Sequence, residues 1–342
     1  MAEKTYTEQQ NIKYKKKLNE LLDILPDFCT QYFDSLEFNK QPRTKIAYAM
    51  DIKGFFEFLI ECIPKFSSYA MKDFKPQDLE KIDGTDITRY LRHVKLYKKN
   101  GRDITNSESA LRRFYEYYCR YEIISLNPTI KVDMPKIHEK AIIRMEPNEV
   151  AEFLDNVESG NKLTKTQLQS HEKLKTRDLA LLTLMLGTGI RVSECVGLDI
   201  NDVDFDNDRI RVIRKGGSES FVYFGDEVRE ALLNYLEERK NLTPDEGHEN
   251  ALFISAKKKR LCVRSVELLV KKYAQTVTTV KHITPHKLRS TYGTNLYQES
   301  QDIYLVADVL GHKDVNTTRK HYAEIVEENK RSARNIVKLR KD

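Results

Sequence analysis

Apolar residues recur at helical spacing through the first third of the chain. Leu22, Leu25, Phe28, Cys29, Tyr32, Phe33 and Leu36 form one run, with Pro26 placing the helix start near that residue. Ile46, Ala47, Tyr48, Ile52, Phe55, Phe56 and Leu59 form a second, from Thr44 to Cys62 and ending near Pro64. Thr85 caps a predicted third helix through Ile87, Tyr90, Leu91, Val94 and Leu96, which stops before Gly101. Ser107 or Ser109 starts a predicted fourth, through Leu111, Phe114, Tyr115, Tyr118 and Cys119, closed by Asn127-Pro128. No hairpin signal interrupts these runs, so residues 22–128 read as an all-helical bundle. Residues 1–21 are polar and basic and are expected as a solvated helix or tail.

The pattern changes past residue 128. Residues 129–144 hold Pro135, Lys131, Lys136, Lys140 and Arg144 with no periodic core, and read as a basic linker. A second domain is expected from 145 to 330, with 331–342 as a charged tail. Glu146-Pro147 opens a helix through Val150, Phe153 and Leu154, followed by a polar loop to about Thr176. The stretch from Arg177 to Leu186 is apolar on most sides and so belongs at the centre of its domain. Gly187-Thr188-Gly189 breaks it, and another helix begins at Arg191. Residues 209–215 and 220–225 alternate as strands about a turn at Gly216-Gly217, with a further short strand through Val203 and Phe205. Helices follow from Asp226 to about Lys240 and from Arg264 to about Ala274, with a short extended piece from Ala251 to Ile254 between them. Thr284 and Pro285 suit the N-cap and first position of another helix. Gly311 reads as a helix C-terminal glycine, and Asn316 as the cap of a short helix carrying Tyr322.

Composition narrows the function classes without choosing one. The 342 residues suffice for two domains with separate cores. No apolar run is long enough to span a bilayer, and no signal peptide is visible, so a cytoplasmic location without membrane contact is expected. Five scattered cysteines, none in a CxxC or Cys/His spacing, predict reduced thiols and no metal site. There is no P-loop and no acidic cluster of the two-metal nuclease kind, so no cofactor is expected. The net charge of +6 permits a polyanionic partner but does not require one. Arg89, Arg92, Lys95, Lys98, Lys99 and Arg102 lie along the third helix and its exit, while Arg112 and Arg113 open the fourth. Alone, these describe a solvated basic face. The tyrosines at 115, 117, 118 and 121 read as core and rim packing, and the run Lys257-Lys258-Lys259-Arg260 as a solvated turn or phosphate contact.

The chemistry lies in four boxes taken in order: Thr188-Gly189-Ile190-Arg191-Val192-Ser193-Glu194, Thr284-Pro285-His286-Lys287-Leu288-Arg289, Leu310-Gly311-His312, and Tyr322. His286 and Arg289 share one face of a helix's first turns. Breaking a phosphodiester without a metal needs positive charge on its non-bridging oxygens, which arginine supplies bidentately and at any physiological pH. The ordered boxes resemble the tyrosine recombinase, or phage integrase, family, and in particular its two-domain Xer-like members. The resemblance covers about residues 22–330; it is specific in the second domain and generic in the first.

That resemblance implies a mainly α protein. A core-binding, SAM-like helical bundle would precede a mostly helical α+β catalytic domain with a small antiparallel sheet. It implies a site-specific DNA recombinase, cutting and rejoining duplex DNA through a 3′-phosphotyrosyl intermediate and a Holliday junction. Arg191 and Arg289 would hold the phosphate, His286 and His312 would donate hydrogen bonds or move a proton, and Tyr322 would be the nucleophile. Lys215 would protonate the leaving oxygen, although Arg214 stands where the family often has glycine. The interval from His312 to Tyr322 falls within the family's range. With the motif in view, Arg89, Arg92, Lys95, Arg112 and Arg113 become candidate contacts to the DNA backbone. The implied partners are duplex recombination sites and further subunits, as a homotetramer or heterotetramer on two sites. Alternatives are a type IB topoisomerase-like enzyme and a non-catalytic DNA-binding regulator derived from the family. The sequence separates neither mobile-element integration from chromosome dimer resolution nor one DNA site from another.

Overall fold

The structure is a computed structural model and describes residues 6–97, 101–132, 143–214, 217–312 and 314–315. The chain divides into two compact units, Met1–Lys140 and Ala141–Asp342.

The first unit is built from α1 (Tyr6–Leu22), α2 (Cys29–Ser35), α3 (Pro42–Cys62), α4 (Gly84–Tyr97) and α5 (Gly101–Arg120). Its core is aromatic. Phe28, Phe56, Phe114 and Tyr118 meet edge to face or tilted, and the Tyr118 hydroxyl donates to the Phe28 carbonyl at 3.0 Å. Tyr115 and Tyr118 are fully buried, Tyr117 is half-buried and Tyr121 is exposed, a core-to-rim gradient along α5 and the turn that follows it.

Three boundaries differ from the sequence reading. Most of the expected N-terminal extension is α1, which packs on α3 and buries Leu18, with Tyr14, Leu21 and Leu22 against the core. Four apolar residues among many lysines suffice because their spacing puts them on one face. Asp83, not Thr85, caps α4, accepting from the amides of Thr85 and Asp86 at 2.8 and 2.9 Å. Ser107 lies inside α5, with its hydroxyl turned to Asp51 of α3 at 2.8 Å, so the serine serves a tertiary bond and the helix starts earlier.

The second unit contains α6 (Pro147–Ser159), α7 (Lys165–His171), α8 (Lys175–Thr188), α9 (Val192–Gly197), β1 (Val203–Asp204), β2 (Arg209–Ile213), β3 (Glu219–Tyr223), α10 (Asp226–Arg239), α11 (Val263–Val277), α12 (Pro285–Ser300) and α13 (Ile303–Leu310). α8 is central, as its all-round hydrophobicity predicts. Ala180, Leu181, Leu182, Leu184 and Met185 are fully buried, and α6, α10 and α12 pack around them. The three strands form an antiparallel meander in the order β1-β2-β3, with Arg209 opposite Tyr223 and Ile213 opposite Glu219. Ile210 and Val212 face inward while Arg211 and Ile213 face out, the two-residue period of a half-covered sheet. The fold is therefore mainly α with one small antiparallel sheet among the described residues.

Helix α7 occupies part of the segment expected as a polar loop. Its signal was present in the sequence: Thr164 and Gln167 cap each other reciprocally, the Gln167 side chain accepting from the Thr164 amide at 2.9 Å. Thr284 does stand at the N-cap of α12, but its side chain makes no capping bond.

Candidate active site

Two helix ends and one turn build the site. α8 terminates at Gly189, whose φ of +62° completes a left-handed cap. A side chain there would also strike the Tyr292 ring 2.5 Å away. The chain then turns into α9 with Arg191 at the N-cap. Glu194, three residues on, accepts from the Arg191 amide at 3.0 Å and from its Nη1 at 2.8 Å. α13 ends likewise at Gly311, with φ of +61°. Val306 and Leu310 pack with Tyr297 of α12 and hold that turn in place.

Onto the Leu310–Gly311 turn come guanidinium groups from distant parts of the chain. Arg191 Nη2 donates to the Gly311 carbonyl at 3.0 Å. Arg289, buried on α12, donates Nη1 to the Gly189 carbonyl at 2.6 Å and Nη2 to the Leu310 carbonyl. Arg214, which follows β2, reaches the same Leu310 carbonyl with Nη1 at 3.4 Å and lies 3.6 Å from Glu194 Oε2. Among the described ion pairs, one carboxylate, Glu194, thus serves both Arg191 and Arg214. Its side chain is 4% exposed, against 33% for Arg191 and 12% for Arg214. Three fixed positive charges around one nearly buried carboxylate and three carbonyl oxygens make a region suited to an anion.

His312 follows this turn directly and is half-buried, its amide donating to the Ala307 carbonyl at 2.9 Å. His286 is exposed on the first turn of α12, three residues before Arg289. Arg191, Arg289 and the turn presenting His312 therefore meet, with His286 on the same helix as Arg289. Lys215 and Tyr322 lie outside the described residues, as do Asn316, the short helix expected after it, and the tail from 331.

Arg191 pairs with Glu194 through one arm, and its second arm still reaches the turn. Glu194 carried a usable signal, since the third helical position is where an acid folds back on an N-cap amide. Arg214 carried none. Its place beside Gly311 depends on how the sheet sits against α13.

In the first unit, Arg89, Arg92 and Lys95 are exposed at three-residue intervals along α4, and Arg113 is exposed on α5. Arg112 differs from the expectation of a solvent-facing cation. It is half-buried and bonded through Nη2 to the buried Glu108 carboxylate one turn back, at 2.7 Å. In the second unit, Arg260 of the basic run donates to the Leu198 carbonyl at 2.7 Å and pairs with Asp199. That residue fastens the segment that follows α9, and does not belong to a solvated turn. Among the described residues no group of three or more His, Cys, Asp or Glu is placed to hold a metal ion, and no helix is long and apolar enough to cross a membrane.

Comparison with known proteins adds the following. The phage integrase family model matches residues 144–329. The tyrosine recombinase XerC of Leptospira interrogans is 30% identical over 83% of this chain and 84% of its own length. The tyrosine recombinase XerS of Streptococcus agalactiae is 31% identical over 93% of this chain and 97% of its own. Among solved structures, the XerH site-specific recombinase in a post-cleavage complex with a palindromic difH substrate matches with a TM-score of 0.66, at 20% identity, over 86% of this chain and 80% of that one. A lambda integrase dimer bound to a core site matches with a TM-score of 0.63, at 16% identity, over 86% and 94%. At these identities the two structures speak for the fold.

Proposed function

Because the chain belongs to the phage integrase family and is a tyrosine site-specific recombinase, we propose that its catalytic set is Arg191, Lys215, His286, Arg289, His312 and Tyr322. Tyr322 attacks the scissile phosphate. A tyrosine oxygen–phosphorus bond forms, the bond from phosphorus to the 5′-oxygen breaks, and DNA is left joined through its 3′-phosphate. The phenol gives up its proton, and the departing 5′-oxygen takes one from Lys215. Arg191 and Arg289 neutralise the non-bridging oxygens as the fifth bond forms. His286 and His312 donate hydrogen bonds to the same phosphate or assist the phenol's deprotonation. The phosphotyrosyl bond conserves the energy of the broken one, so a 5′-hydroxyl from a partner strand reverses the step without a nucleotide cofactor. Two rounds make and then resolve a Holliday junction.

The observation that carries the assignment is the convergence of Arg191 and Arg289 on the turn that presents His312. Residues scattered over the second unit meet there, in the motif order of the family. Exposed Arg89, Arg92, Lys95 and Arg113, with Arg112, are proposed to contact the DNA backbone from the first unit. The working assembly is proposed to be a tetramer, of one or two chain types, on two recombination sites in the cytoplasm.

Covalent trapping in the source cell tests the assignment. Wild type and Tyr322→Phe are expressed, the cells are lysed in denaturant, and the DNA attached to protein is sequenced. Adducts confined to wild type support Tyr322 as nucleophile. Their positions distinguish element ends, as in integration and excision, from one chromosomal locus, as in dimer resolution. Equal adducts from both proteins refute the choice of tyrosine; none from either, with DNA binding intact, refutes the catalytic set.

A further inference from the structure

Arg214 stands outside the catalytic set, yet its side chain is bound into the site. Its backbone closes the base of the β2–β3 turn: its amide donates to the Ser218 carbonyl at 2.8 Å and its carbonyl accepts from Gly217 at 3.0 Å. The side chain leaves the sheet and places its guanidinium against Gly311. A Cβ at residue 311 would lie 2.7 Å from Arg214 Cζ, 2.8 Å from Nη1 and 3.1 Å from Nε. Three atoms of one planar group at nearly equal distance mean that the group presents its face, not its edge, to the missing side chain. Gly311 is thus constrained twice, by its left-handed φ and by an arginine occupying the side-chain position. The same guanidinium shares the Leu310 carbonyl with Arg289 and the Glu194 carboxylate with Arg191.

We propose that Arg214 is a positioning residue of the recombination site. It locks the Leu310–Gly311 turn and Glu194 to each other, and through them sets the pose of Arg191 and of the backbone leading to His312. Lysine is a poor substitute, since a point charge on a flexible stem has no flat face to lay on Gly311 and no second arm. The proposal rests on the reading of Arg191 as a phosphate ligand. It predicts a loss that depends on the charge of the phosphate, because a displaced arginine matters only where there is negative charge to neutralise.

The test uses the duplex recovered by covalent trapping, synthesised with either an ordinary scissile phosphodiester or a neutral methylphosphonate at that position. Cleavage rates are measured for wild type, Arg191→Ala, Arg214→Ala and Arg214→Lys, with DNA affinity and thermal unfolding recorded for each. Misplacing a catalytic group by about an ångström costs up to ~100-fold, so Arg214→Ala is expected to cut the phosphodiester roughly 10- to 100-fold more slowly. On the methylphosphonate it should recover most of that deficit, in parallel with Arg191→Ala. Arg214→Lys should behave as Arg214→Ala does, and decides the matter if the alanine variant does not fold. An equal deficit on both substrates, with Arg191→Ala still rescued, overturns the positioning role. If Arg191→Ala is not rescued, the reading of Arg191 fails and the proposal fails with it.

Discussion

Replacing Gly311 with alanine should destabilise the second unit through two separable effects, which a thermodynamic cycle can divide. The first is backbone strain. A non-glycine residue at φ near +61° costs about 1–2 kcal/mol. The second is displacement of Arg214, whose Cζ lies 2.7 Å from the new methyl position. The guanidinium would have to leave the Leu310 carbonyl and the Glu194 carboxylate, and a partly buried charged hydrogen bond is worth about 1.5–3 kcal/mol. The single substitution should therefore cost about 2.5–5 kcal/mol. Arg214→Ala alone forfeits only the second part, about 1.5–3 kcal/mol. It should fall at the lower end, because Arg289 still donates to Leu310. Once Arg214 is gone, the methyl at 311 meets no guanidinium and only the strain remains. The double variant should then be no worse than Gly311→Ala, leaving a coupling of about 1.5–3 kcal/mol. Urea denaturation of wild type, the two single variants and the double variant provides the four free energies. Far-ultraviolet circular dichroism is the suitable probe, since the chain has no tryptophan. Single losses that add to within about 0.5 kcal/mol would refute the reasoning, because they would mean that residue 311 tolerates a methyl without moving Arg214.

Two other outcomes follow from groups away from the turn. His171 is buried, with Nδ1 3.0 Å from the Tyr273 hydroxyl, which in turn donates to Asp178 at 3.1 Å. Burial holds this imidazole below its ordinary range and nearby Lys272 adds to the effect, against the opposing pull of Glu172 and Asp178. The unfolded chain binds the proton at about pH 6.5 and the folded chain only at lower pH, so stability is lost as pH falls through that window. His171→Gln should show a smaller drop in melting temperature between pH 7.5 and 5.5, about, than wild type does; identical slopes would remove His171 as the cause. On α4, replacing Arg89, Arg92 and Lys95 together by alanine should weaken DNA binding regardless of sequence. It should also flatten the salt dependence by about 2–3 in the log–log slope, near 0.9 per lost phosphate contact. Measured by titration at several salt concentrations, an unchanged slope would place that face away from DNA.

Much of the architecture could be read before any coordinates. The buried centre at α8 follows from a stretch that is apolar on most sides, and the β2–β3 hairpin from two-residue alternation about a glycine turn. Gly189 and Gly311 were recognisable as helix ends, because a left-handed cap without a Cβ is a local requirement. The motif residues Arg191, His286, Arg289 and His312 stood out through the resemblance of their ordered boxes to a known family. Local signals also misled where a residue had a distant use. Ser107 resembled a cap and is bonded to Asp51 on another helix, and the lysine-rich start of the chain concealed the stripe that docks α1.

What the chain alone determined was therefore most of the elements, since periodicity, capping and turn chemistry act over a few residues, while the motif side chains were legible through their resemblance to a known family. Only the tertiary structure decided which of these side chains share partners. Arg191, Arg214 and Arg289 come from a helix start, the end of a strand and a helix interior, and no spacing in the sequence relates them. They meet because α12 packs on both α8 and α13, which brings the carbonyls of Gly189 and of Leu310–Gly311 within reach of guanidinium arms. A hydrogen bond is satisfied by whatever donor the packing delivers, and that delivery is a property of the whole fold.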